Sequence, residues 1–272
     1  MERIIALVAG ASRGAGKGAA LALAEIGSTV YCVGRSTDQN RRPDTLGTID
    51  DTAREVDELG GTGIPLAADC SDPEAVAAIF RRVEEEQGHL HILVNSAWGA
   101  HDADLSFGPF HENVAQDWEY MFNRGVKNYL LCSAAAVPLL RAAKQALVAN
   151  ISFWDDDKYI GSLMYDLAKS AMNRLAYDLS VELKKDEVTA VALSPGYMNT
   201  EKVQEAMRKD PSLPEKVGLP GESTRYVGRA VTALWQDTQR IEKSGRALRV
   251  ADLAREYGFT DVDGTQPEAF RL

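Results

Sequence analysis

The sequence contains few cysteines, and it has no apolar run long enough to cross a membrane. Its three cysteines, Cys32, Cys70 and Cys132, are widely spaced and odd in number. They indicate a reducing compartment and argue against both a disulfide framework and a zinc site. A membrane span needs about 18 consecutive apolar residues, and the first residues of the chain lack the layout of a signal peptide. These absences lead us to expect a cytoplasmic protein with no membrane span.

An excess of basic residues is also missing, because the 272 residues carry a formal net charge of −10. Nucleic acid and anionic membrane surfaces are therefore unexpected partners. Hydrophobic residues make up 45% of the chain and charged residues 26%, which is typical of an ordinary globular core. We find no internal repeat and no break in composition. The sequence predicts one domain over residues 1–272, with 201–222 as a substrate lid and 251–272 as a C-terminal extension.

A glycine-rich turn directly follows the first apolar run, at Gly10, Gly14 and Gly16. It leaves a predicted strand and opens a predicted helix, and a second strand follows within about thirty residues. In that setting the backbone amides and the helix dipole point at a pyrophosphate. A plain structural turn is the alternative, but the strand–helix–strand setting favours dinucleotide binding.

Short apolar runs alternate with segments of helical periodicity along the rest of the chain. The runs predict strands at residues 4–9, 29–33, 63–68, 91–95, 146–151 and 189–193, with a seventh at 246–250. Helices are predicted between them, the longest at 117–143 and 163–183. Uninterrupted apolar strands are typical of a parallel sheet that is buried on both faces. The predicted fold class is α/β, a single Rossmann-type doubly wound domain with a mostly parallel sheet of about seven strands and helices on both faces.

Two arginines bear on the choice of dinucleotide. Arg35 follows the second predicted strand, where an acidic residue would bind the adenosine ribose and repel a 2′-phosphate, and Arg13 lies in the glycine turn. Guanidinium groups suit a phosphate, so NADP(H) is preferred and NAD(H) stays open; alternatively, either arginine is solvated surface. Asp69 is placed to accept from the adenine amino group, and Asn95 either braces the strand ends or contacts the ribose. Turn capping is the alternative for both.

Tyr165 and Lys169 lie four residues apart at the start of a long predicted helix, so their side chains share one helical face. Ser152 lies thirteen positions upstream of Tyr165, just past the fifth predicted strand. An ammonium group beside a phenol favours the phenolate, which would move the tyrosine pKa from about 10 towards 7 and create a usable general acid. The alternative is an ordinary pair of surface neighbours.

Taken together, these residues resemble the short-chain dehydrogenase/reductase family. The resemblance covers residues 4–200 in consistent order. Besides the glycine turn it rests on Asn95-Ser96-Ala97, Ser152, Tyr165-x3-Lys169 and Ser194-Pro195-Gly196. Across the long loop after the fourth strand and the following helix, the chain looks most like the branch of dehydrogenase/reductase family member 1. The resemblance implies an oxidoreductase that interconverts a carbonyl and an alcohol by hydride transfer with NADP(H).

The resemblance also implies roles for individual residues. Tyr165 would be the general acid/base, Lys169 would lower its pKa and bind the nicotinamide ribose, and Ser152 would hold the substrate oxygen. Asn123 matches the helix asparagine that holds a water in the family's proton relay; the alternative is a buried amide that satisfies a helix defect. The implied cofactor contacts are Gly10, Ser12, Arg13, Gly14, Ala15, Gly16, Arg35, Asp69, Cys70, Asn95, Ala97, Tyr165, Lys169, Pro195, Gly196, Met198 and Thr200.

Aromatic residues occur in the loops expected at the carboxyl ends of the strands, where ligands bind in open α/β sheets. We expect some of them to form the substrate pocket and others to belong to the core; the candidates are Trp98, Phe153, Trp154, Tyr159 and Tyr197. The aspartates at 155–157 are expected to form a solvated loop, and substrate choice is expected within residues 153–164. The histidines and aspartates at 101–111 lack a coherent ligand spacing, so no metal is expected.

A small-molecule carbonyl or alcohol is the expected substrate. A homo-oligomer, either dimer or tetramer, is implied because the helices beginning near Asp117 and Leu163 look like the family's dimer-forming pair. Two alternative functions stay open. One is a dehydratase or epimerase of the same fold that uses the bound nucleotide, and the other is a non-catalytic NADP(H)-binding sensor or scaffold.

Overall fold

Seven strands form one sheet in the computed structural model, which describes residues 3–41, 46–99, 109–212 and 221–272. Every pairing is parallel, and the strand order is β3-β2-β1-β4-β5-β6-β7. The predicted doubly wound α/β fold with a Rossmann-type sheet is therefore confirmed. The strands are β1 (Ile5–Ala9), β2 (Thr29–Gly34), β3 (Thr62–Ala67), β4 (Ile92–Asn95), β5 (Ala146–Ile151), β6 (Val188–Ser194) and β7 (Ala247–Arg249).

Helices connect the strands, and several begin at residues suited to cap them. Thr48 accepts a hydrogen bond from the Asp51 amide while the Asp51 side chain accepts from the Thr48 amide, which forms a capping box. None of the helices in the described ranges is long and apolar enough to cross a membrane. The helices are α1 (Gly14–Glu25), α2 (Ile49–Glu58), α3 (Pro73–Gln87), α4 (Val114–Asp117), α5 (Lys127–Ala142), α6 (Leu163–Glu182), α7 (Glu201–Lys209), α8 (Thr224–Gln236) and α9 (Val250–Tyr257).

Two apolar cores lie on opposite faces of the sheet, because side chains alternate along each strand. Ala6 and Val8 of β1 face the core that α1, α2, α8 and α9 close. Ile5 and Leu7 face the core that α3 and α5 close, with α6 beside them. Helix α9 is part of the first core and Phe259 packs against it, so the predicted C-terminal extension includes residues of the packed body.

The helical region 114–142 departs from a regular α-helix. After α4, residues Trp118–Val126 form π-helical turns that pass directly into α5. The sequence predicted an unbroken helix from Asp117, and its periodicity gave no sign of the widened turns. Pro138 lies inside α5, which continues to Ala142. Each π-helical turn holds about one residue more than an α-helical turn, so the faces of the following residues are rotated.

The turns after β1 and β4 meet at the carboxyl edge of the sheet, where the strand order reverses. Gly10 has a φ of +88°, and a Cβ at this position would lie 2.6 Å from the Ala97 amide nitrogen. Only glycine fits there. Helix α7 follows the turn after β6; residues 213–220 of the predicted lid lie outside the described ranges.

Candidate active site

A cavity of about 320 Å³ opens at this carboxyl edge, and its wall contains both the glycine turn and Ser152. The turns after β1, β4, β5 and β6 all contribute to it, so the fold brings together residues that are far apart in the sequence. The predicted cofactor residues that line it are Gly10, Ser12, Arg13, Gly14, Ala15, Arg35, Asp69, Cys70, Ala97, Tyr165, Lys169, Pro195, Gly196, Met198 and Thr200.

The glycine turn leaves the start of α1 accessible to an anion. Arg13, the residue that precedes the helix, makes no side-chain cap to its amides, and Gly14 lies at a φ of +57°. Gly16 does not line the cavity. It faces the turn instead, where a Cβ would lie 2.1 Å from the Gly10 carbonyl oxygen. Gly16 therefore lets α1 pack against the turn, while the backbone around Gly14 provides the cradle that a pyrophosphate requires.

A carboxylate already contacts this cradle. The Gly14 amide donates to Glu201 Oε2 at 2.9 Å, although the two residues lie 187 positions apart. Glu201 is the first residue of α7, and Thr200 caps that helix by accepting from the Val203 amide. An anionic group at the start of α1 is what the dipole and free amides of a helix terminus favour.

Cationic side chains dominate the charged part of the cavity wall, although the chain as a whole has a net charge of −10. The basic lining residues are Arg13, Arg35, Arg124, Lys169 and Lys202, and the acidic ones are Asp69 and Glu201. Arg35 Nη1 lies 3.7 Å from Asp69 Oδ2, at the carboxyl ends of β2 and β3. The wall is therefore suited to a ligand with several negative charges.

Asn95 is the second predicted cofactor residue that does not line the cavity. It is fully buried, and its Nδ2 donates to Ser133 Oγ at 3.0 Å and to Asn150 Oδ1 at 2.9 Å. These bonds connect the ends of β4 and β5 with α5. These bonds favour the bracing role considered for Asn95, and its contact with the ribose stays a prediction.

Ser152, Tyr165 and Lys169 lie together on the cavity wall. Ser152 follows β5, is buried, and donates from Oγ to the Lys169 carbonyl oxygen at 3.1 Å. Tyr165 and Lys169 occupy the first two turns of α6, and Lys169 Nζ lies 5.3 Å from the centroid of the Tyr165 ring. A hydroxyl, a phenol and an amine therefore share one wall.

Burial sets the proton affinities of Tyr165 and Lys169. Desolvation raises the pKa of Tyr165 to about 12 and lowers the pKa of Lys169 to about 7. The prediction that the ammonium group would bring the tyrosine pKa towards 7 is wrong for this structure. The physical reason is that the same desolvation that disfavours the phenolate also removes much of the charge of Lys169 near neutral pH.

Asn123 is not brought to the cavity. It lies in the π-helical segment, and its Nδ2 donates to Glu119 Oε2 at 2.7 Å. Asn128 of α5 lines the cavity instead. Its Nδ2 donates to the Arg124 carbonyl oxygen at 2.9 Å, whereas its Oδ1 is buried without a hydrogen-bond partner among the described residues. The family resemblance pointed to Asn123, whereas the fold places Asn128, which follows the widened turns, at the cavity.

The predicted substrate aromatics divide into two groups. Trp98 and Phe153 line the cavity, whereas Trp154, Tyr159 and Tyr197 are not part of its wall. The Trp154 ring centroid lies 4.3 Å from the Arg249 guanidinium carbon, and Tyr159 is 62% exposed. Sequence position alone did not separate these groups, because all five residues lie in loops at the same edge of the sheet.

Asp155 differs from the solvated loop residue that the sequence predicted. It is 1% exposed, and its Oδ1 accepts from Arg249 Nη2 at 2.9 Å. Burial alone would raise the pKa of Asp155, but hydrogen bonds from the Leu272 amide, Arg249 and Lys158 outweigh burial and lower the pKa to about 2. The prediction was wrong because two of its partners, Arg249 and Leu272, lie more than ninety residues away in the sequence. Asp156 and Asp157 are exposed, as expected.

Several lining residues were not identified from the sequence. Tyr129 is fully buried, and its hydroxyl donates to the Ile151 carbonyl oxygen at 2.8 Å, directly before Ser152. Glu201 follows the predicted contact Thr200, so proximity to that motif was the available signal. For the lining residues of the helices around Tyr129, the sequence offered no motif that marked them. The missed lining residues include Arg124, Asn128, Tyr129, Glu201 and Lys202.

The described ranges hold no group of three or more potential metal ligands, and the candidate histidine and aspartates at 101–108 lie outside them.

Comparison with known proteins connects this site to a family. Residues 4–211 match the family model described as short chain dehydrogenase. The chain is 35% identical over 274 residues to dehydrogenase/reductase SDR family member 1 of Homo sapiens, covering 97% of this chain and 85% of that protein. The corresponding protein of Mus musculus is 36% identical over 275 residues, with the same coverage.

Solved structures share the fold. A short chain dehydrogenase from Mycobacterium thermoresistibile superposes with a TM-score of 0.82 at 22% identity, covering 99% of this chain and 95% of the other. L-sorbose reductase from Gluconobacter frateurii, complexed with NADPH and L-sorbose, gives a TM-score of 0.76 at 20% identity, covering 98% and 97%. At such identities the superpositions establish the fold alone.

The family assignment rests on the sequence matches. The family model covers most of the chain, and the human relative exceeds 30% identity across nearly all of it. The resemblance to that branch, predicted from the sequence, is confirmed. The chain belongs to the short chain dehydrogenase/reductase family and is an NAD(P)-dependent oxidoreductase that acts on CH–OH and C=O groups.

Proposed function

We propose that this protein interconverts a carbonyl and an alcohol with NADP(H), and that Tyr165 is the general acid/base. The observation that carries the proposal is that Ser152, Tyr165 and Lys169 line the same cavity as the glycine turn. A bound nicotinamide would supply or accept the hydride, which protein side chains do not provide. The residues of the chain would bind that group, orient the substrate oxygen and move one proton.

The cradle around Gly14 fits a dinucleotide pyrophosphate, because backbone amides at the start of α1 face a cavity with a basic wall. The segment after β6 would hold the nicotinamide half through Pro195, Gly196 and Thr200, as the family resemblance implies. Asp69, Cys70 and Ala97 would surround the adenosine half. All of these residues line the cavity.

NADP(H) is proposed over NAD(H) because Arg13 and Arg35 both line the cavity, and no acidic residue occupies the end of β2. A 2′-phosphate adds charge that two guanidinium groups would neutralise. Replacing Arg35 by alanine should weaken NADPH binding by roughly tenfold or more, since hydrogen bonds to charged groups contribute about 1.5–3 kcal/mol. NADH binding should hardly change. Calorimetric titration of both dinucleotides measures the two effects.

The proton chemistry follows from the burial of the site. With its pKa raised to about 12, Tyr165 keeps its proton at neutral pH and can donate it to a substrate oxygen during reduction. Ser152 would hold that oxygen by turning its hydroxyl away from the Lys169 carbonyl. In oxidation Tyr165 would first pass its own proton to the relay and then, as a phenolate stabilised by the positive charge of Lys169, accept the proton of the substrate alcohol.

Asn128 is proposed for the proton relay that the family resemblance first suggested for Asn123. Its buried Oδ1 lacks a hydrogen-bond partner in the described ranges, and its side chain lines the cavity. A buried amide oxygen without a protein partner is a suitable site for an ordered water. Such a water would connect Lys169 with solvent and return the proton to Tyr165.

The decisive experiment mixes the purified protein with NADPH and a panel of aldehydes and ketones while the nicotinamide absorbance is followed. Turnover should occur with some carbonyls, and Tyr165→Phe should abolish it while NADPH remains bound. Full activity in Tyr165→Phe would show that the acid is misassigned. NADPH binding without turnover on any carbonyl would instead support a sensor or scaffold, and isotope exchange without loss of NADPH would support a dehydratase or epimerase.

A homo-oligomer is proposed from the outward faces of α5 and α6. Leu130, Leu167, Tyr177 and Val181 are large apolar residues that are about half exposed on these helices. Apolar helix faces of this kind are typical of contact surfaces between subunits. Light scattering should give a mass above that of one chain, and Leu167→Glu should lower it.

A cytoplasmic location is also proposed. Cys32, Cys70 and Cys132 are all free and buried, a state that a reducing compartment maintains. Fractionation of cells that express a tagged protein would test the location.

A further inference from the structure

The loop after β5 is held by a buried carboxylate. Asp155 accepts from the Leu272 amide at 2.6 Å and from Arg249 Nη2 at 2.9 Å, and Lys158 Nζ and Arg271 Nη1 lie at 3.3 and 3.4 Å. A buried charge is tolerated only when it is paired and hydrogen-bonded in this way. Asp155 is therefore a structural anchor.

The anchor connects two parts of the chain that are more than a hundred residues apart. Residues 270–272, here called the Phe270 segment, contact the loop after β5. Besides Asp155, Asp156 binds this segment, since its Oδ2 lies 3.2 Å from Arg271 Nη1 and 2.7 Å from Arg249 Nη2. Lys158 adds a bond in the opposite direction by donating to the Leu272 carbonyl oxygen at 2.9 Å. The loop and the segment are thus joined by the ion pairs of Arg271 and by hydrogen bonds to the Leu272 backbone.

The hydrogen bonds and ion pairs of Asp155 and Asp156 hold Phe270 next to the active-site cavity. Its ring centroid lies 5.7 Å from that of Phe153, with the two rings inclined at 67°. A Cβ built on Gly196 would lie 3.8 Å from Phe270 Cβ. Phe153 and Gly196 both line the cavity, as does Ser152. Phe270 therefore packs directly behind two residues of the wall.

We propose that Phe270 is a positioning residue that fixes Phe153 and limits the size of the substrate beside Tyr165, and that the Asp155 anchor holds it there. Carbonyl compounds with compact apolar substituents are the substrate class that fits. Bulky, fused-ring substituents are disfavoured, because they would require Phe153 to move against Phe270. This inference rests on the proposed carbonyl reduction and extends it to the choice of substrate.

The test measures kcat/KM with NADPH for aldehydes and methyl ketones whose substituent grows from ethyl through phenyl to naphthyl. In Phe270→Ala, the ratio of bulky to compact substrates should rise about tenfold relative to wild type, the scale on which apolar pockets discriminate. Arg271→Gln, which weakens the anchor without changing the ring, should move the ratio in the same direction by less. The dissociation constant of NADPH should stay within about twofold in both variants.

Val262→Ala is the matched control, because Val262 is 54% exposed and lies outside the Phe270 segment. Its substrate ratio should equal that of wild type. Phe270→Leu serves if the alanine variant does not fold, and it should give a smaller shift of the same sign. A wild-type protein that reduces carbonyls while the ratio is unchanged in both Phe270 variants would overturn this proposal alone. A wild type that reduces no carbonyl overturns the proposed function as well.

Discussion

Lys169 Nζ lies 4.2 Å from the centroid of the Trp98 indole ring, inside the wall of the active-site cavity. No described carboxylate forms an ion pair with this amine. Its other neighbours are the Tyr165 ring and Met172 Sδ, the latter at 3.9 Å. Because no ion pair opposes desolvation, burial lowers the pKa of Lys169 to about 7, and its charged form is stabilised only by these aromatic faces and the sulfur atom among the described residues.

Trp98→Leu should move the pH dependence of the reaction. An indole face contributes about 1–2 kcal/mol to a desolvated ammonium group, and 1.36 kcal/mol corresponds to one pKa unit. Removing the face lowers the pKa of Lys169 further, so the activity that requires its positive charge should be lost at lower pH. We expect the alkaline limb of kcat/KM against pH to shift by about one unit towards acid.

Trp98→Phe separates the electrostatic effect from the packing effect. It keeps an aromatic face for the Lys169 ammonium group, but its smaller ring loses packing contacts, as the leucine does. Its pH profile should lie close to that of wild type. The close contact of Trp98 with Gly125 means that both variants need a thermal unfolding measurement as a check on folding. Identical alkaline limbs in the leucine variant and wild type would contradict the role of the indole.

Asn128 and Asn123 give a second, paired prediction. Asn128→Ala removes the amide whose Oδ1 lies buried at the cavity, so kcat should fall by about 100-fold, the lower end of the range for a lost proton-transfer group. Asn123→Ala removes only a bond to the exposed Glu119 and should leave kcat within about threefold. A solvent isotope effect that increases in Asn128→Ala would distinguish slow proton return from mispacking. An equal loss of kcat in Asn128→Ala and Asn123→Ala would contradict the proposed role of Asn128 in the proton relay.

The sequence was sufficient where function depends on short spacings. Tyr165 and Lys169 follow from helical periodicity, and the glycine turn follows from its position between β1 and α1. It was insufficient where partners are distant or where a helix is irregular. The composition gave no sign of the π-helical turns, and the family resemblance pointed to Asn123 although Asn128 is the amide that lines the cavity. Asp155 looked solvated because the residues that neutralise it come from β7 and the Phe270 segment.

Glu201→Gln should tighten the binding of NADPH. Glu201 accepts from the Gly14 amide at the start of α1, where the pyrophosphate would bring further negative charge. A neutral amide keeps the acceptor but removes the repulsion, so the dissociation constant should fall roughly fivefold, equivalent to about 1 kcal/mol. The gain should shrink in high salt. Glu205→Gln, one turn further along α7, is the control and should have no comparable effect. Weaker binding in Glu201→Gln would indicate that the carboxylate holds the predicted lid in place.

A second carboxylate lies beneath the segment that would hold the nicotinamide. Glu222 is 2% exposed, and its Oε1 has no hydrogen-bond partner among the described residues. Burial raises the pKa of Glu222 to about 8; the backbone of Gly196 opposes this shift through a hydrogen bond, and the charge of Asp261 adds to it. The folded protein therefore keeps this proton near neutral pH, whereas the unfolded chain loses it near pH 4.5.

Glu222→Gln should consequently change how stability depends on pH. Between about pH 4.5 and pH 8 the folded state binds one proton more than the unfolded state at this position, so the contribution of Glu222 to stability falls as the pH rises. The glutamine variant lacks this loss. The difference in the free energy of unfolding, glutamine variant minus wild type, should be about 2–4 kcal/mol larger at pH 8 than at pH 5. Denaturant unfolding at both pH values measures the difference, with exposed Glu85→Gln as the control; a difference independent of pH would show that Glu222 is ionised in the folded protein.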